Sequence, residues 1–180
     1  VRPEAGLVVL DGVDVTAQAP EAIARAGLVR SFQGGRVFPT MTVQQAIRTA
    51  TEHGSPGGPT EPIADILGLA PHMNDRIGSL PTGVVRLVEV ACLASTGARV
   101  LLLDEPSAGI AHTETEHLAR ALEQLRSDLG LTLVVIDHDL GLLTRLSDRL
   151  VALDAGRIVA TGPPDAVRAD PAVIAGYLGS

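Results

Sequence analysis

The sequence contains no lysine: its 14 basic residues are all arginine, against 21 acidic residues, and the formal net charge is -7. Aromatic residues are also scarce, with two Phe, one Tyr and no Trp. Proteins that bind nucleic acid need basic patches that neutralise phosphate and, for single strands, aromatic rings on which bases stack. This composition therefore argues against nucleic acid as a partner.

A single cysteine, Cys92, is present, which excludes an internal disulfide. It lies in an apolar run, so we expect a core thiol, in keeping with a reducing compartment. No apolar run approaches the roughly 18 residues that span a bilayer, and the N-terminus lacks the pattern of a signal peptide. We therefore expect any membrane contact to be made through a partner.

The patterns that are present are typical of a folded α/β domain, and 46% of the residues are hydrophobic. Residues 6–15 predict a hairpin that turns at Asp11-Gly12. A strand is predicted at Leu28–Phe32, and the Gly- and Pro-rich residues 51–62 predict a surface loop. Predicted helices lie at Pro20–Ala26, Thr42–Ala50, Ile63–Leu69 and Val84–Ser95.

Beyond Gly97, apolar strands alternate with helices. The strands are predicted at Val100–Leu103, Thr132–Ile136 and Leu150–Leu153, and the helices at Thr113–Leu129 and Leu140–Leu146. Strands separated by helices of this length imply right-handed crossovers and a parallel sheet covered on both faces. The predicted fold class is therefore α/β.

Two acids, Asp104 and Glu105, follow an uninterrupted apolar strand, and Pro106 prevents that strand from continuing. Ligands of open α/β sheets bind outside the carboxyl ends of the strands, so these acids are predicted to emerge where a nucleotide would lie. Taken alone, such a pair is equally compatible with a solvated turn. His138 follows the next strand in the same way, however, and we expect it to reach the same crevice.

The run LLLDEPSAG at residues 101–109, followed by VVIDHD at residues 134–139, resembles the Walker B, D-loop and switch-histidine series of ABC ATPases. The resemblance implies a P-loop NTPase-like sheet flanked by helices, with ATP and Mg²⁺ as cofactors. It also implies that Asp104 holds Mg²⁺ through water, that Glu105 polarises the attacking water and that His138 contacts the γ-phosphate. In phosphoryl transfer, positioning and charge neutralisation of this kind dominate catalysis.

Gln33 resembles the Q-loop glutamine of the same family. The resemblance implies that Gln33 senses Mg²⁺ or the attacking water and couples the site to a helical subdomain. A glutamine before two glycines can equally be an exposed loop amide. Its place in the order of motifs favours the functional interpretation.

The segment Leu80-Pro81-Thr82-Gly83 resembles the signature loop of ABC ATPases, which opens a helix and presents backbone N–H groups to a nucleotide held by the partner subunit. Pro81 and Val84 stand where the family usually has serine and glutamine. The resemblance therefore assigns nucleotide binding at Pro81, Thr82 and Gly83 to the amides at the helix end rather than to side chains.

The phosphate-binding motif GxxxxGK[ST] needs a lysine, so it is not in this chain. We expect a partial ABC ATPase domain over residues 1–180 that is truncated at its N-terminus and hydrolyses negligible ATP unaided. Within it we expect a helical subdomain at residues 42–95, which includes the signature loop, and a C-terminal tail at residues 156–180.

Two segments are similar to the ATP-binding subunits of branched-chain amino acid importers: residues 32–43 and the C-terminal residues 156–179. This resemblance implies a head-to-tail pair with a second ABC ATPase subunit, docked on membrane permease subunits. It implies a peripheral position at the cytoplasmic face of the plasma membrane.

Two other functions are alternatives to the importer. A non-hydrolysing structural or regulatory partner is favoured by the missing lysine, the altered signature loop and Ala111, which stands where the D-loop usually has Asp or Asn. An ABC protein of DNA repair or translation fits the acidic charge and the tail less well. His112 and His117 do not share a helix face, so we expect exposed side chains rather than metal ligands.

Overall fold

A computed structural model describes residues 3–31, 37–54 and 61–178 of the chain. The chain divides into two compact units, Val1–Ile136 and Asp137–Ser180. Within the described ranges, no helix has both the length and the apolar character needed to cross a membrane. The predicted acid pair belongs to the first unit and the predicted histidine to the second.

The first unit begins with a two-stranded antiparallel hairpin. Strand β1 (Val9–Leu10) pairs with strand β2 (Val13–Asp14). Between them, Asp11 and Gly12 have positive φ angles of 48° and 81°, as a tight two-residue turn requires. The hairpin predicted over residues 6–15 is therefore confirmed.

Three parallel strands form the sheet of the first unit, in the order β3-β4-β5. They are β3 (Leu28–Arg30), β4 (Val100–Asp104) and β5 (Thr132–Ile136). Helix α1 (Pro20–Arg25) leads into β3. The register places Arg30 opposite Leu102 and Asp104 opposite Ile136. The parallel pairing predicted for the two strands at 100–103 and 132–136 is confirmed, and their carboxyl ends lie at one edge of the sheet.

The described residues between β3 and β4 contain three α-helices: α2 (Val43–His53), α3 (Glu61–Ile66) and α4 (Thr82–Ser95). A capping box starts α2, because the side chain of Thr42 accepts from the Gln45 N–H and the Gln45 side chain accepts from the Thr42 N–H. The sequence predicts that this helix ends at about Ala50, and the structure shows a later end. The helix continues through Thr51 to His53, and both of these side chains bond to a carbonyl four residues earlier.

Helix α5 (His112–Leu129) contributes much of the core of the first unit and packs against α3 and α4. Leu118, Leu122 and Leu125 recur at helical spacing, and each is at most 1% exposed. Burying a leucine side chain contributes about 1.5–3 kcal/mol, so this face anchors the helix. Two single-turn 3₁₀ helices, Ala70–His72 and Ile77–Ser79, lie between α3 and α4.

The second unit contains a hairpin and three short helices. Its elements are α6 (Leu140–Leu146), β6 (Leu150–Asp154), β7 (Arg157–Gly162), α7 (Pro164–Arg168) and α8 (Pro171–Leu178). Strand β6 pairs antiparallel with β7, so the expectation that residues 150–153 extend a parallel sheet is wrong. The reason is the turn: Ala155 and Gly156 have positive φ angles of 44° and 77° and return the chain at once.

Candidate functional site

Asp104, the last residue of β4, is held at the edge of the sheet by the end of β3. Its N–H donates to Ser31 Oγ at 2.9 Å, and Ser31 N–H donates to the Leu102 carbonyl at 2.8 Å. Arg30 Nη2 lies 2.8 Å from Asp104 Oδ2, and the Asp104 side chain is 16% exposed. The carboxylate is therefore fixed and largely shielded, with a guanidinium on one oxygen.

Glu105 follows immediately, with a fixed backbone and an exposed side chain. Its N–H donates to the Ile136 carbonyl at 2.7 Å, and its carbonyl accepts from the Ala108 N–H at 3.1 Å. The φ angle of 47° lies in the left-handed region, which is unfavourable for a residue with a Cβ. Two adjacent acids thus have different surroundings: one is shielded and ion-paired, and the other faces solvent.

His138 lies in the second unit, where its ring is 68% exposed. Its Nδ1 is 3.5 Å from Oδ1 of the buried Asp137, which also accepts from the Asp139 N–H. A carboxylate beside Nδ1 favours a proton on that nitrogen, which leaves Nε2 as the ring nitrogen for a ligand. The meeting of His138 with the acid pair in one crevice stays a prediction.

The predicted signature loop leads into α4. Pro81 occupies the N-cap position without a side-chain cap, and Thr82 is the first helical residue. Both are exposed, whereas Gly83 is buried. A Cβ on Gly83 would lie 2.6 Å from Glu114 Oε1, so a larger residue here would displace the Glu114 carboxylate. N–H groups in the first turn of a helix have no acceptor within it.

Gln33 lies outside the described residues. The same is true of Phe32, with which the importer-like run begins, and of Arg36. The proposed contact of Gln33 with Mg²⁺ or water therefore stays a prediction.

Arg86, which the sequence analysis missed, connects α4 to the loop that follows the acid pair. Its Nη1 lies 2.9 Å from Glu89 Oε2, and its Nη2 donates to the Ala108 carbonyl at 3.3 Å. The two charged side chains are 18% and 14% exposed. An Arg and a Glu three residues apart indicate a possible helix pair, but nothing in the sequence indicates the bond to Ala108.

Helices α4 and α5 hold this loop, residues 107–111, at opposite ends. Arg86 bonds the Ala108 carbonyl at one end. At the other end, Glu114 Oε2 accepts from the Ala111 N–H at 3.0 Å, and Glu114 is the residue packed against Gly83. The helix that follows the predicted signature segment therefore bonds the loop directly through Arg86, whereas the segment itself is linked to the loop through Glu114.

A cavity of about 270 Å³ lies beside the start of α4. Its walls combine apolar side chains with polar groups, among them those of Glu89 and Thr82. The remaining lining residues are Val37, Pro39, Ile77, Gly78, Leu80 and Val85. Phe38, next in sequence to two of them, is 65% exposed.

In the part of the chain that the structure describes, no group of three or more His, Cys, Asp or Glu side chains could hold a metal ion. Magnesium is usually bound by one or two carboxylates, several waters and substrate phosphates rather than by a cage of protein ligands. The carboxylate of Asp104 therefore fits a magnesium ion that binds together with a nucleotide.

The parallel sheet, the helices between β3 and β4 and the acids at the end of β4 define an ATP-binding cassette. The family model for ABC transporters matches residues 1–108. The family model for branched-chain amino acid ATP-binding cassette transporters matches residues 157–180. The chain belongs to the ABC transporter family, whose ATP-binding members are ATP-hydrolysing transport ATPases. The predicted family, fold class and enzyme class are confirmed.

Two relatives share the name high-affinity branched-chain amino acid transport ATP-binding protein. BraF of Pseudomonas aeruginosa is 33% identical over 99% of this chain and 78% of its own length. LivG of Escherichia coli is 31% identical over the same shares. The ATP-binding cassette MJ1267 in its ADP conformation superposes with a TM-score of 0.85 at 25% identity, over 100% of this chain and 79% of its own.

Proposed function

We propose that this chain is the ATP-binding and ATP-hydrolysing subunit of an importer for branched-chain amino acids or similar solutes. The observation that carries the hydrolytic part is the acid pair, in which Asp104 is shielded and fixed while Glu105 beside it is exposed. The solute class is supported by the match at residues 157–180 and by the identity to BraF.

In this proposal each residue of the site has a separate task. Asp104 holds Mg²⁺ through water, and the ion supplies positive charge that offsets the charge on the phosphates. Glu105 accepts a hydrogen bond from the attacking water and polarises it. His138 contacts the γ-phosphate through Nε2, and Gln33 contacts Mg²⁺ or the water.

Pro81, Thr82 and Gly83 are proposed to serve a nucleotide held by a second ABC ATPase subunit in a head-to-tail pair. Thr82 begins α4, and the N–H groups of its first turn favour an anion. Pro81 offers no side-chain donor. Binding would therefore rest on the backbone amides and on the exposed Thr82 side chain.

The cavity beside α4 is proposed to receive a membrane permease subunit. Val37, Pro39 and Ile77 supply the apolar part of its walls, and the neighbouring Phe38 ring is exposed. An exposed aromatic ring beside an apolar recess is typical of protein interfaces. The chain would then lie at the cytoplasmic face of the membrane, and the choice of solute would belong to its partners.

The test supplies the phosphate-binding loop that a chain without lysine cannot provide. A GxxxxGK[ST] segment from an ABC relative is joined ahead of Val1, and steady-state ATP hydrolysis is measured with and without Mg²⁺. We expect activity in the fusion, negligible activity in the chain alone, and a loss of about 100-fold in the Glu105→Gln fusion. Glu52→Gln, which removes an exposed carboxylate of α2, should leave the rate unchanged.

Two results would contradict the proposal. A fusion that binds ATP but does not hydrolyse it would point to the non-hydrolysing partner. The same conclusion would follow if the fusion hydrolysed ATP at a rate that Glu105→Gln left unchanged.

A further inference from the structure

The ion pair between Arg30 and Asp104 joins the carboxyl ends of two neighbouring strands. Arg30 is the last residue of β3, and Asp104 is the last residue of β4. Arg30 Nη2 lies 2.8 Å from Asp104 Oδ2, while the Arg30 side chain is 63% exposed. An exposed guanidinium thus lies on the largely shielded carboxylate of the proposed cation site.

The strand ends do not depend on this ion pair. Ser31 N–H donates to the Leu102 carbonyl, and Asp104 N–H donates to the Ser31 hydroxyl, so the position of Asp104 is fixed without its carboxylate. Exposed ion pairs contribute little to folding. The Arg30 side chain can therefore leave Asp104 without loss of the pairing between β3 and β4.

We propose that Arg30 sets the affinity of Asp104 for a divalent cation, because it occupies the carboxylate whenever the cation is absent. The inference rests on the proposed function, which places Mg²⁺ at Asp104. A guanidinium and a metal ion compete for the same carboxylate oxygens, and two cations a few ångströms apart repel each other. Arg30 is thus a positioning residue that lowers cation affinity until nucleotide phosphates offer the guanidinium another anion.

The test measures binding of Mn²⁺ alone, as a paramagnetic stand-in for Mg²⁺, to the ¹⁵N-labelled chain. The readout is the Mn²⁺ concentration that half-broadens the amide signals of Ser31 and Glu105. We expect this concentration to fall by about three- to tenfold in Arg30→Gln. The reason is that the substitution removes a unit positive charge about 5 Å from a divalent ion in a partly screened site. Arg30→Lys keeps the charge and should stay within about twofold of the unsubstituted chain.

Arg48→Gln is the matched control, because it removes an equal charge from an exposed ion pair with Glu52 on α2. It should not change the Mn²⁺ concentration. Asp104→Asn should abolish selective broadening at Ser31 and Glu105.

The outcomes separate this inference from the function on which it rests. Equal Mn²⁺ concentrations in Arg30→Gln and the unsubstituted chain would overturn the role of Arg30 and leave the cation site intact. Absence of selective broadening in every variant would overturn the inference, whereas the proposed hydrolysis is tested separately by the fusion. A fall of equal size in Arg48→Gln would show that net charge alone is responsible and would also overturn the inference.

Discussion

Glu105 combines an exposed carboxylate with a left-handed backbone conformation, at a φ angle of 47°. A residue with a Cβ pays about 1–2 kcal/mol for this conformation, whereas glycine adopts it freely. We therefore expect Glu105→Gly to be more stable than Glu105→Ala by about 1 kcal/mol in equilibrium urea unfolding, since both lack the carboxylate. The reverse order is expected at Glu52 in α2, where glycine weakens a helix. If the order of stability of the Gly and Ala variants were the same at both positions, backbone strain at Glu105 would be contradicted.

Cys92 is the second residue whose surroundings make a quantitative prediction. Burial, with the charge of Glu89 acting in the same direction, raises the pKa of the Cys92 thiol from 9.0 to about 12. At pH 8 the thiolate fraction is then about 1,000-fold lower in the folded chain than in the unfolded chain. We expect iodoacetamide to label Cys92 slowly in buffer and rapidly in urea. Similar rates in the two conditions would contradict the burial of the thiol.

The same pKa shift links Cys92 to the stability of the chain at high pH. The folded chain holds the thiol proton more tightly than the unfolded chain. Its contribution to stability is therefore complete below about pH 9 and is lost progressively as the pH rises towards 12. Cys92→Ala should remove this part of the alkaline destabilisation in urea unfolding measured between pH 8 and 10.

Single residues differ in how far the sequence predicts them. Asp104 and Glu105 could be predicted, because a carboxylate directly after an apolar strand lies at the sheet edge whatever the tertiary details. Arg30 and Arg86 could not, because their partners are 74 and 22 residues away and are set by strand register and helix packing. The close approach of Glu114 to Gly83 likewise comes from another helix.

At the scale of elements, Arg86 joins α4 to the loop after the acid pair by its bond to the Ala108 carbonyl. Replacing Arg86 by Met removes the bond to Ala108 and leaves Glu89 without its cation. We expect a loss of about 1–3 kcal/mol in unfolding free energy. We also expect faster hydrogen exchange at the Ala108 N–H, which donates to the Glu105 carbonyl and so reports on the loop.

Two further variants separate the loop contact from a general loss of charge. Arg120→Met removes an exposed arginine whose Nη1 is 3.9 Å from Glu116, and should change stability by less than about 0.5 kcal/mol. Arg86→Met combined with Glu89→Met should recover part of the stability, since no unpaired charge remains. It should not restore slow exchange at Ala108. Unchanged exchange in Arg86→Met would show that the loop is held without this contact.

Among the elements, those with local signals were predicted well. The hairpin at residues 6–15 follows from Asp11-Gly12, and α5 follows from its leucine spacing. Strand β6 was predicted but its partner was not, because pairing depends on the two-residue turn to β7 rather than on the strand itself. The extension of α2 to His53 depends on side chains that bond back to its carbonyls, which helix propensity alone does not reveal.

For the whole molecule, the order of motifs was enough to predict the ABC family and its α/β sheet, because that order reflects which strands carry the site. The division into two compact units was not predicted, since it depends on which segments pack together. In the described part of the first unit, apolar side chains remain exposed on both of its sheets. Examples are Val9 on β1, which is 57% exposed, and Ile136 on β5, which is 64% exposed.

The exposed apolar side chains on the two faces of the first hairpin predict self-association of the isolated chain. Leu7, Val9 and Val13 are 73%, 57% and 56% exposed, and apolar residues on an exposed hairpin favour pairing between chains. We expect the combination of Val9→Thr and Val13→Thr to lower the weight-average mass in sedimentation equilibrium. Threonine keeps the branched shape, so the unfolding free energy should change by less than about 0.5 kcal/mol. Val167→Thr, at a site that is 5% exposed, should instead lower stability without reducing association. An unchanged mass in the hairpin variant would show that these hairpin side chains do not drive self-association.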